Sequence, residues 1–247
     1  MKSIDPIPLY RQLKDTLHQQ IEQGSFKPDH LIPSERNLCD QYRISRITVR
    51  QALSEMINEG ILYRKQGKGT FVARPKVNQG LVRIVSFSKT VLDLGMQPST
   101  KVLGSKVLPA DIQIAKILDL PVTGQVMKLF LLGMGDGEPL VHYESCFSLS
   151  LGRRMVREAV KNEKKGISFS TYDLYGEATG TAPGRVIQTL EAVVADAHHA
   201  SLMKVKKGTA LLTITSVFET RDGHPLEFRR AQYRGDRYKF HITRELP

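Results

Sequence analysis

Ser34-Glu-Arg-Asn-Leu-Cys-Asp-Gln-Tyr-Arg-Ile-Ser-Arg-Ile-Thr-Val-Arg50 decides how the first third of the chain reads. Ser34 is placed to cap a helix that runs to about Tyr42. Arg43-Ile44-Ser45 is a short turn, and Ser45 caps a further helix. That helix carries Val49, Leu53, Met56 and Ile57 inward and ends at Gly60. Upstream, Leu9, Leu13, Leu17 and Ile21 recur every four residues, which is an amphipathic helix. Pro8 suits its first turn, and Gly24 can close it in the left-handed conformation. Two helices joined by about three residues, the second basic at its start, predict a helix-turn-helix. Arginines stand at 43, 46 and 50 with no acid among them, so this face expects a negative partner.

The following residues sharpen the case. Ile61-Leu-Tyr-Arg-Lys-Gln-Gly-Lys-Gly-Thr-Phe-Val72 reads as strand, glycine-rich turn, strand. Arg64, Lys65, Lys68, Arg74 and Lys76 supply five bases and no acid between 64 and 76. A basic hairpin directly after the third helix predicts a winged helix, with that helix in the major groove of double-stranded DNA. Arg46 and Arg50 lie four apart and project from one face, where arginine's planar fork pairs with guanine or clamps phosphate. The hydroxyls of Ser34 and Thr48, and the N–H groups opening the second helix, suit phosphates. Gly67 and Gly69 let the hairpin tip approach a minor groove, with Gln66 and Lys68 as the reaching side chains.

Several motifs in this segment stand in register with one family. Pro33-Ser34-Glu35-Arg36, then Ser45-Arg46-x-Thr48-Val49-Arg50-Gln51-Ala52-Leu53, then Gly60-Ile61-Leu62 and Gly67-x-Gly69-Thr70-Phe71-Val72 resemble the DNA-binding domain of the GntR family of bacterial transcription regulators. The resemblance implies DNA contacts at Arg36, Arg46, Thr48, Arg50 and the wing glycines, with Ser45 and Thr70 in the same motifs. Asp29 stands where the family usually has glycine, and Ile32 replaces a leucine. Aspartate tolerates positive φ, so little consequence is expected.

Bulk properties agree with an anionic partner. The net charge is +11 over 247 residues, and 40% hydrophobic content supports real cores. Up to position 80 there are 13 basic and 8 acidic residues (+5), and beyond it 23 and 17 (+6), so the excess is spread out. No apolar run has the length of a signal peptide or a membrane span, so a cytoplasmic protein with no membrane partner is expected. Cys39 and Cys146 are too far apart in sequence to suggest a metal knuckle or redox pair. The histidines show no His-Glu-x-x-His spacing, and the adjacent pair His198-His199 reads as a solvated helix pair. No metal site and no cofactor are expected.

Residues 74–80 contain Pro and Gly, lack an apolar period and read as a linker between domains at 1–73 and 81–247. The second domain repeats itself. Ala110-Asp-Ile-Gln-Ile-Ala115 and Ala195-Asp-Ala-His-His-Ala200 each lead to a glycine, an apolar strand (126–132 and 210–218) and a turn. Those turns, Asp136-Gly-Glu-Pro-Leu140 and Asp222-Gly-His-Pro-Leu226, carry the Asp-Gly hairpin signal. Two units of short helix plus hairpin predict an α+β domain, an antiparallel sheet of pseudo-twofold character with helices on one side.

The same segment resembles the UTRA effector-binding domain that accompanies the HutC subfamily of GntR regulators and is similar in fold to chorismate lyase. The carrying motifs are Pro109-Ala110-Asp111, Gly137-Glu138-Pro139-Leu140 with Glu144, Ser170-x-Tyr172, Glu191-Ala192, Gly223-His224-Pro225-Leu226-Glu227 and Tyr233-Arg234-Gly235-Asp236-x-Tyr238. The resemblance implies a small-molecule effector pocket between the repeated halves, at Phe87, Ser88, Lys89, Thr90, Glu144, Ser170, Tyr172, Glu227 and Tyr233. Ser88 and Thr90 are expected to open a helix whose free N–H groups hold an anion. Glu144 and Glu227 would accept hydrogen bonds from the effector, or else pair with Arg229 or Arg230. Many relatives carry Arg-x-Arg in the strand before the first Asp-Gly turn, and Leu131 and Gly133 stand there instead. Either the effector lacks a phosphate, or Lys89, Lys128, Arg229 or Arg230 compensates, or the pocket no longer senses a ligand.

The expected function is therefore a ligand-responsive DNA-binding regulator, acting as a repressor and binding a palindromic operator as a homodimer. A DNA-binding regulator without an effector is the alternative. A chorismate-lyase-like enzyme is the third reading, but the sequence offers no nucleophile–base pair, metal set or nucleotide-binding glycine motif for it.

Overall fold

The computed structural model describes residues 8–73, 77–80, 86–121, 123–180 and 182–241. By contacts the chain divides into two compact units, Met1–Pro75 and Lys76–Pro247.

In the first unit, α1 (Leu9–Glu22), α2 (Glu35–Tyr42) and α3 (Arg46–Asn58) enclose Leu13, Leu17, Leu38, Val49, Leu53 and Met56. The expected caps form. The Ser34 hydroxyl accepts from the Asn37 N–H at 3.2 Å, and the Ser45 hydroxyl from the Thr48 N–H at 3.2 Å. Arg43, at φ 53°, makes the left-handed turn between α2 and α3. Asp29 also takes positive φ, 64°, in the place where the family has glycine. The hairpin β1 (Leu62–Lys65) and β2 (Gly69–Val72) is antiparallel, and alternation turns Leu62 and Val72 into the core. Leu31 bridges to Phe71 alongside it.

In the second unit the elements run β3 (Val77–Gly80), α4 (Phe87–Leu92), β4 (Pro98–Pro109), α5 (Ile112–Ile117), β5 (Gln125–Gly135), β6 (Glu138–Ser148), α6 (Leu149–Lys164), α7 (Thr171–Thr179), β7 (Arg185–Val194), α8 (Ala197–Leu202), β8 (Ala210–Glu219), β9 (Pro225–Arg234) and β10 (Tyr238–His241). Six strands form one antiparallel sheet in the order β4-β5-β6-β9-β8-β7. This order is its own mirror about the β6–β9 seam, so each repeat contributes three adjacent strands.

The sheet carries helices on both faces, where the sequence predicted one. Leu129, Leu131, Tyr143, Phe147, Ala231 and Tyr233 point to one face and share a core with Phe87 and Val91 of α4, Met155 of α6 and Leu174 of α7. Val126, Cys146 and Phe228 point to the other, under Ile114 and Leu118 at α5, and Leu211 lies there with Ala200 of α8. The two short repeat helices are thus a layer of their own. At six residues each, they bury too few apolar side chains for periodicity to reveal a face.

Two further expectations change. Val77–Gly80, read as linker, pairs in parallel with β10, Tyr238 opposite Val77. A four-residue strand with no alternation leaves no sequence signal, because its partner's backbone supplies the pairing. The rest of that reading, 74–76 with Arg74 and Lys76, and the stretch 81–85, lie outside the described residues. The two Asp-Gly turns also differ. Asp136 and Gly137 both take positive φ in a two-residue hairpin turn, whereas at the second site only Gly223 does. There Gly223 N–H bonds Thr220 C=O and Thr220 N–H bonds His224 C=O, a longer loop closed by a left-handed glycine.

Candidate functional site

The first surface is built from the start of α3, the start of α2 and the hairpin tip. Arg46, Ile47 and Arg50 are exposed on α3, Ile47 at 80%. Ile47 thus presents an apolar side chain to the outside between two exposed arginines. Gln66, Gly67, Lys68 and Gly69 are exposed at the tip of the hairpin, with Thr70 half-buried beside them. A cleft of about 430 Å³ between Ser34 and the hairpin includes Glu35, Arg64, Lys68 and Thr70 in its walls.

The face is not free of acid. Glu35, on the first turn of α2, accepts from Arg50 Nε at 2.8 Å and from an Arg64 terminal nitrogen at 3.2 Å. One carboxylate therefore holds an arginine from α3 and one from β1 at fixed spacing. That hydrogen bond to Glu35 also raises the Arg50 pKa. Arg36 lies within 4.0 Å of Asp40, both well exposed. The Ser45 and Thr48 hydroxyls lie 2.8 Å apart, so Ser45 is occupied locally as a cap. Gly67 and Gly69 take φ 72° and 114°, a backbone conformation that fixes glycine at the tip, and a Cβ on Gly69 would also displace the end of the exposed Leu31 side chain. Lys65 sits over the rings of Tyr63 and Phe71, at 5.4 and 5.2 Å, which draws it onto the hairpin.

The residues singled out for an effector are divided by the sheet. Phe87, Thr90, Ser170, Glu227 and Tyr233 lie on the α4–α6–α7 face, and Tyr172 stands 6.5 Å from the Phe218 ring there. Glu144 alternates with Tyr143 and lies on the opposite face, lining a small pocket of about 150 Å³ with Asp111, Lys128, Cys146, Phe228 and Arg230. It does not join the others.

Ser88 and Thr90 do not open α4. Ser86 caps it, accepting from the Lys89 N–H, while the Ser88 hydroxyl donates to Ser168 C=O at 2.7 Å and the Thr90 hydroxyl to Ser86 C=O. Lys89 is exposed. Ser170 begins α7 in a reciprocal capping box with Asp173. Tyr233 is enclosed by Tyr143, Tyr238 and Phe240, and burial holds its phenol above the ordinary value.

Glu227 is fully buried and internally satisfied: Thr171 donates to it at 2.7 Å and Tyr175 at 3.0 Å. Thr171 in turn accepts from Arg229 at 3.1 Å, so one hydroxyl joins a buried cation to a buried anion. Sequence reasoning passed over Thr171 and Tyr175; alternation puts Glu227 and Arg229 on one face of β9, and only the packing of α7 on that face brings these hydroxyls to them. Arg229 itself lies between the rings of Phe218 and Tyr143, 4.4 and 5.5 Å away, and its Nε is buried without a partner. Of the compensating cations weighed above, Lys128 and Arg230 face the other way, and Arg229 alone among the described residues occupies this core.

Leu131 is fully buried here, and a Cβ on Gly133 would stand 2.8 Å from Phe87 and from Val141. Phe87 fills the space an arginine at 133 would need, so the absence of that pair is matched by packing. On the other face, His198 is exposed as expected of a solvated pair, but His199 turns inward towards His142 and Glu144.

No helix among the described residues is long and apolar enough to cross a membrane. Residues 9–72 match the family model for bacterial regulatory proteins of the gntR family, and residues 93–239 match the UTRA domain. The chain is 33% identical to the HTH-type transcriptional repressor NagR of Bacillus subtilis, over 95% of this chain and 94% of that one. It is 29% identical to the histidine utilization repressor of Pseudomonas putida, over 85% and 81%. Among solved structures it is similar to PhnF from Mycobacterium smegmatis, with a TM-score of 0.67 at 25% identity, covering 97% of this chain and all of that one. Helix-turn-helix, hairpin, six-stranded sheet and these matches agree: the chain belongs to the GntR family of bacterial regulatory proteins, HutC subfamily, and is a ligand-responsive transcriptional regulator with a UTRA effector domain.

Proposed function

We propose that the protein is a cytoplasmic repressor that binds a palindromic DNA operator as a homodimer, each chain placing α3 and its wing on one half-site. The observation that carries this is the exposed front of α3, where Ile47 stands between Arg46 and the Glu35-braced Arg50. Arginine forks suit guanine edges and an aliphatic side chain suits the thymine methyl, so this face fits mixed base readout. Lys68 and Gln66 at the tip reach the minor groove, Gly67, Gly69 and Thr70 letting the backbone close in. Arg36, Ser34, Thr48 and the N–H groups opening α2 serve phosphates.

In the second domain a small metabolite enters on the α4–α6–α7 face, near Phe87, Thr90, Ser170, Tyr172 and Tyr233. Arg229 supplies its one buried positive charge, in place of an arginine pair. A single guanidinium with a free Nε suits a carboxylate or other monoanion better than a phosphate needing a bidentate clamp from two arginines. Binding acts on DNA affinity only through a difference in preference between two arrangements of the chain.

Selection of bound duplexes from a random pool, with the mass of the free protein in solution, tests the reading. The expected result is a palindromic site with half-sites about one helical turn apart, bound by two chains. An enriched single half-site, or a monomer at the binding concentration, would refute the dimer. The effector is found by thermal melts with carboxylates, sugars and sugar phosphates; a ligand at one hundred times its Kd adds about 2.7 kcal/mol and raises Tm by roughly 5–11 °C.

A further inference from the structure

On the sheet face opposite that pocket, β6 and α8 bring together three groups with metal-ligand chemistry. His142 and Glu144 are two apart on β6 and so share a face, and His199 reaches them from α8. One ligand atom from each lies within 4.8 Å of the other two. His142 is 2% exposed, and its Nδ1 is buried with no partner. His199 Nε2 is likewise buried with no partner. The rings are 5.7 Å apart.

Two neighbouring imidazoles, each with an orphaned ring nitrogen, are costly in a protein interior unless something accepts or donates there. The other nitrogen of His199 is already directed. His199 Nδ1 lies 2.8 Å from Asp196 Oδ1, and Gln232 stands opposite His142 on the neighbouring strand β9. A carboxylate on Nδ1 leaves Nε2 as the lone-pair nitrogen, which is how metal-bound imidazoles are held by their outer partners. Asp196 is itself fixed, because it caps α8 and accepts from the His199 N–H.

We propose that His142, Glu144 and His199 bind one divalent transition metal ion, of the zinc class, with Asp196 orienting the His199 imidazole. Two imidazole nitrogens and one carboxylate oxygen suit zinc and its late first-row neighbours better than magnesium or calcium, which favour all-oxygen sets. Around zinc, tetrahedral ligand atoms stand about 3.4 Å apart, so movement of roughly an ångström closes the site. His198 is exposed on α8, with its ring 5.2 Å from that of His199 and 6.4 Å from that of His142. The ion would tie α8 of the second repeat to β6 of the first, across the seam of the sheet.

The test is a titration of tag-free, chelator-treated full-length protein with zinc, in competition with a chromophoric chelator. The expected result is one zinc per chain, with affinity falling at least tenfold in Glu144→Gln and in His199→Ala, and about 10–100-fold in Asp196→Asn. His199 is mostly buried and Asp196 caps α8, so circular dichroism of each metal-free variant must first match that of the parent. His18→Gln, which removes the His18–Glu22 pair on α1, should bind zinc as the parent does. Absence of micromolar binding, binding that survives His199→Ala, or binding that disappears with His18→Gln would each overturn the proposal.

Discussion

Lys68→Ala separates a residue that meets DNA from one that merely sits near it. Lys68 stands exposed at the hairpin tip between two glycines of positive φ, whereas Lys65 lies over Tyr63 and Phe71 on the same hairpin. Each phosphate neutralised on duplex DNA contributes about 0.9 to the slope of log affinity against log salt. A homodimer engages two wings, so losing Lys68 should flatten that slope by about 1.8; one bound chain would give about 0.9. Lys65→Ala should leave the slope unchanged and cost about 0.5–1 kcal/mol of stability through the lost ring contacts. Anisotropy of a labelled operator between roughly 50 and 200 mM salt reads the slopes directly. If Lys68→Ala weakens binding at an unchanged slope, or if Lys65→Ala flattens it equally, the division of roles is wrong.

Three other perturbations probe the second domain. Thr171→Val leaves Glu227 and an Arg229 nitrogen without their shared partner; bonds to charged groups count for about 1.5–3 kcal/mol, so urea unfolding should show a loss near 3 kcal/mol. A loss under 1 kcal/mol would mean that water replaces the hydroxyl. Gly133→Ala places a methyl 2.8 Å from Phe87 and Val141 and should destabilise by about 1–3 kcal/mol, visible as a lowered Tm. Asp236→Asn removes the double hydrogen bond to Arg234, at 3.1 and 2.7 Å, and should cost about 2 kcal/mol, since Asp236 is partly exposed. Burial pushes the Asp236 pKa up, but Arg234 outweighs this and holds it below 3.8. Its contribution is present above pH 3.8 and lost as pH falls through the lower folded value, so acid unfolding of the variant should be shallower in that range.

Much of the first unit is legible in the sequence because its rules are local. Ser34 and Ser45 announce their helices, and the fourfold leucine spacing announces α1. Glu35 is not legible as a brace, since its distance from Arg50 and Arg64 is bridged only by the tertiary turn of α2 against α3 and the hairpin. In the second unit the repeat was visible from Asp136-Gly and Asp222-Gly, though the same dipeptide closes two loops of different length. Faces are harder than strands. Glu144 and Glu227 look alike in sequence, and only the β6–β9 register places one in each layer. His198-His199 fails similarly, because a six-residue helix is too short for its buried side to show as periodicity.

The mirror order of the sheet has a kinetic consequence. Within each half, β4-β5-β6 and β7-β8-β9, neighbouring strands follow one another in the chain, so their pairing closes short loops. The seam pairs Val141 with Tyr233, 233 − 141 = 92 positions away, and must close a loop several times longer. Low contact order favours the two meanders as early structures, with the seam joining late. Cross-seam couplings, read from double-mutant cycles between β6 and β9, should therefore affect unfolding rates far more than folding rates, whereas couplings within either meander should already affect folding.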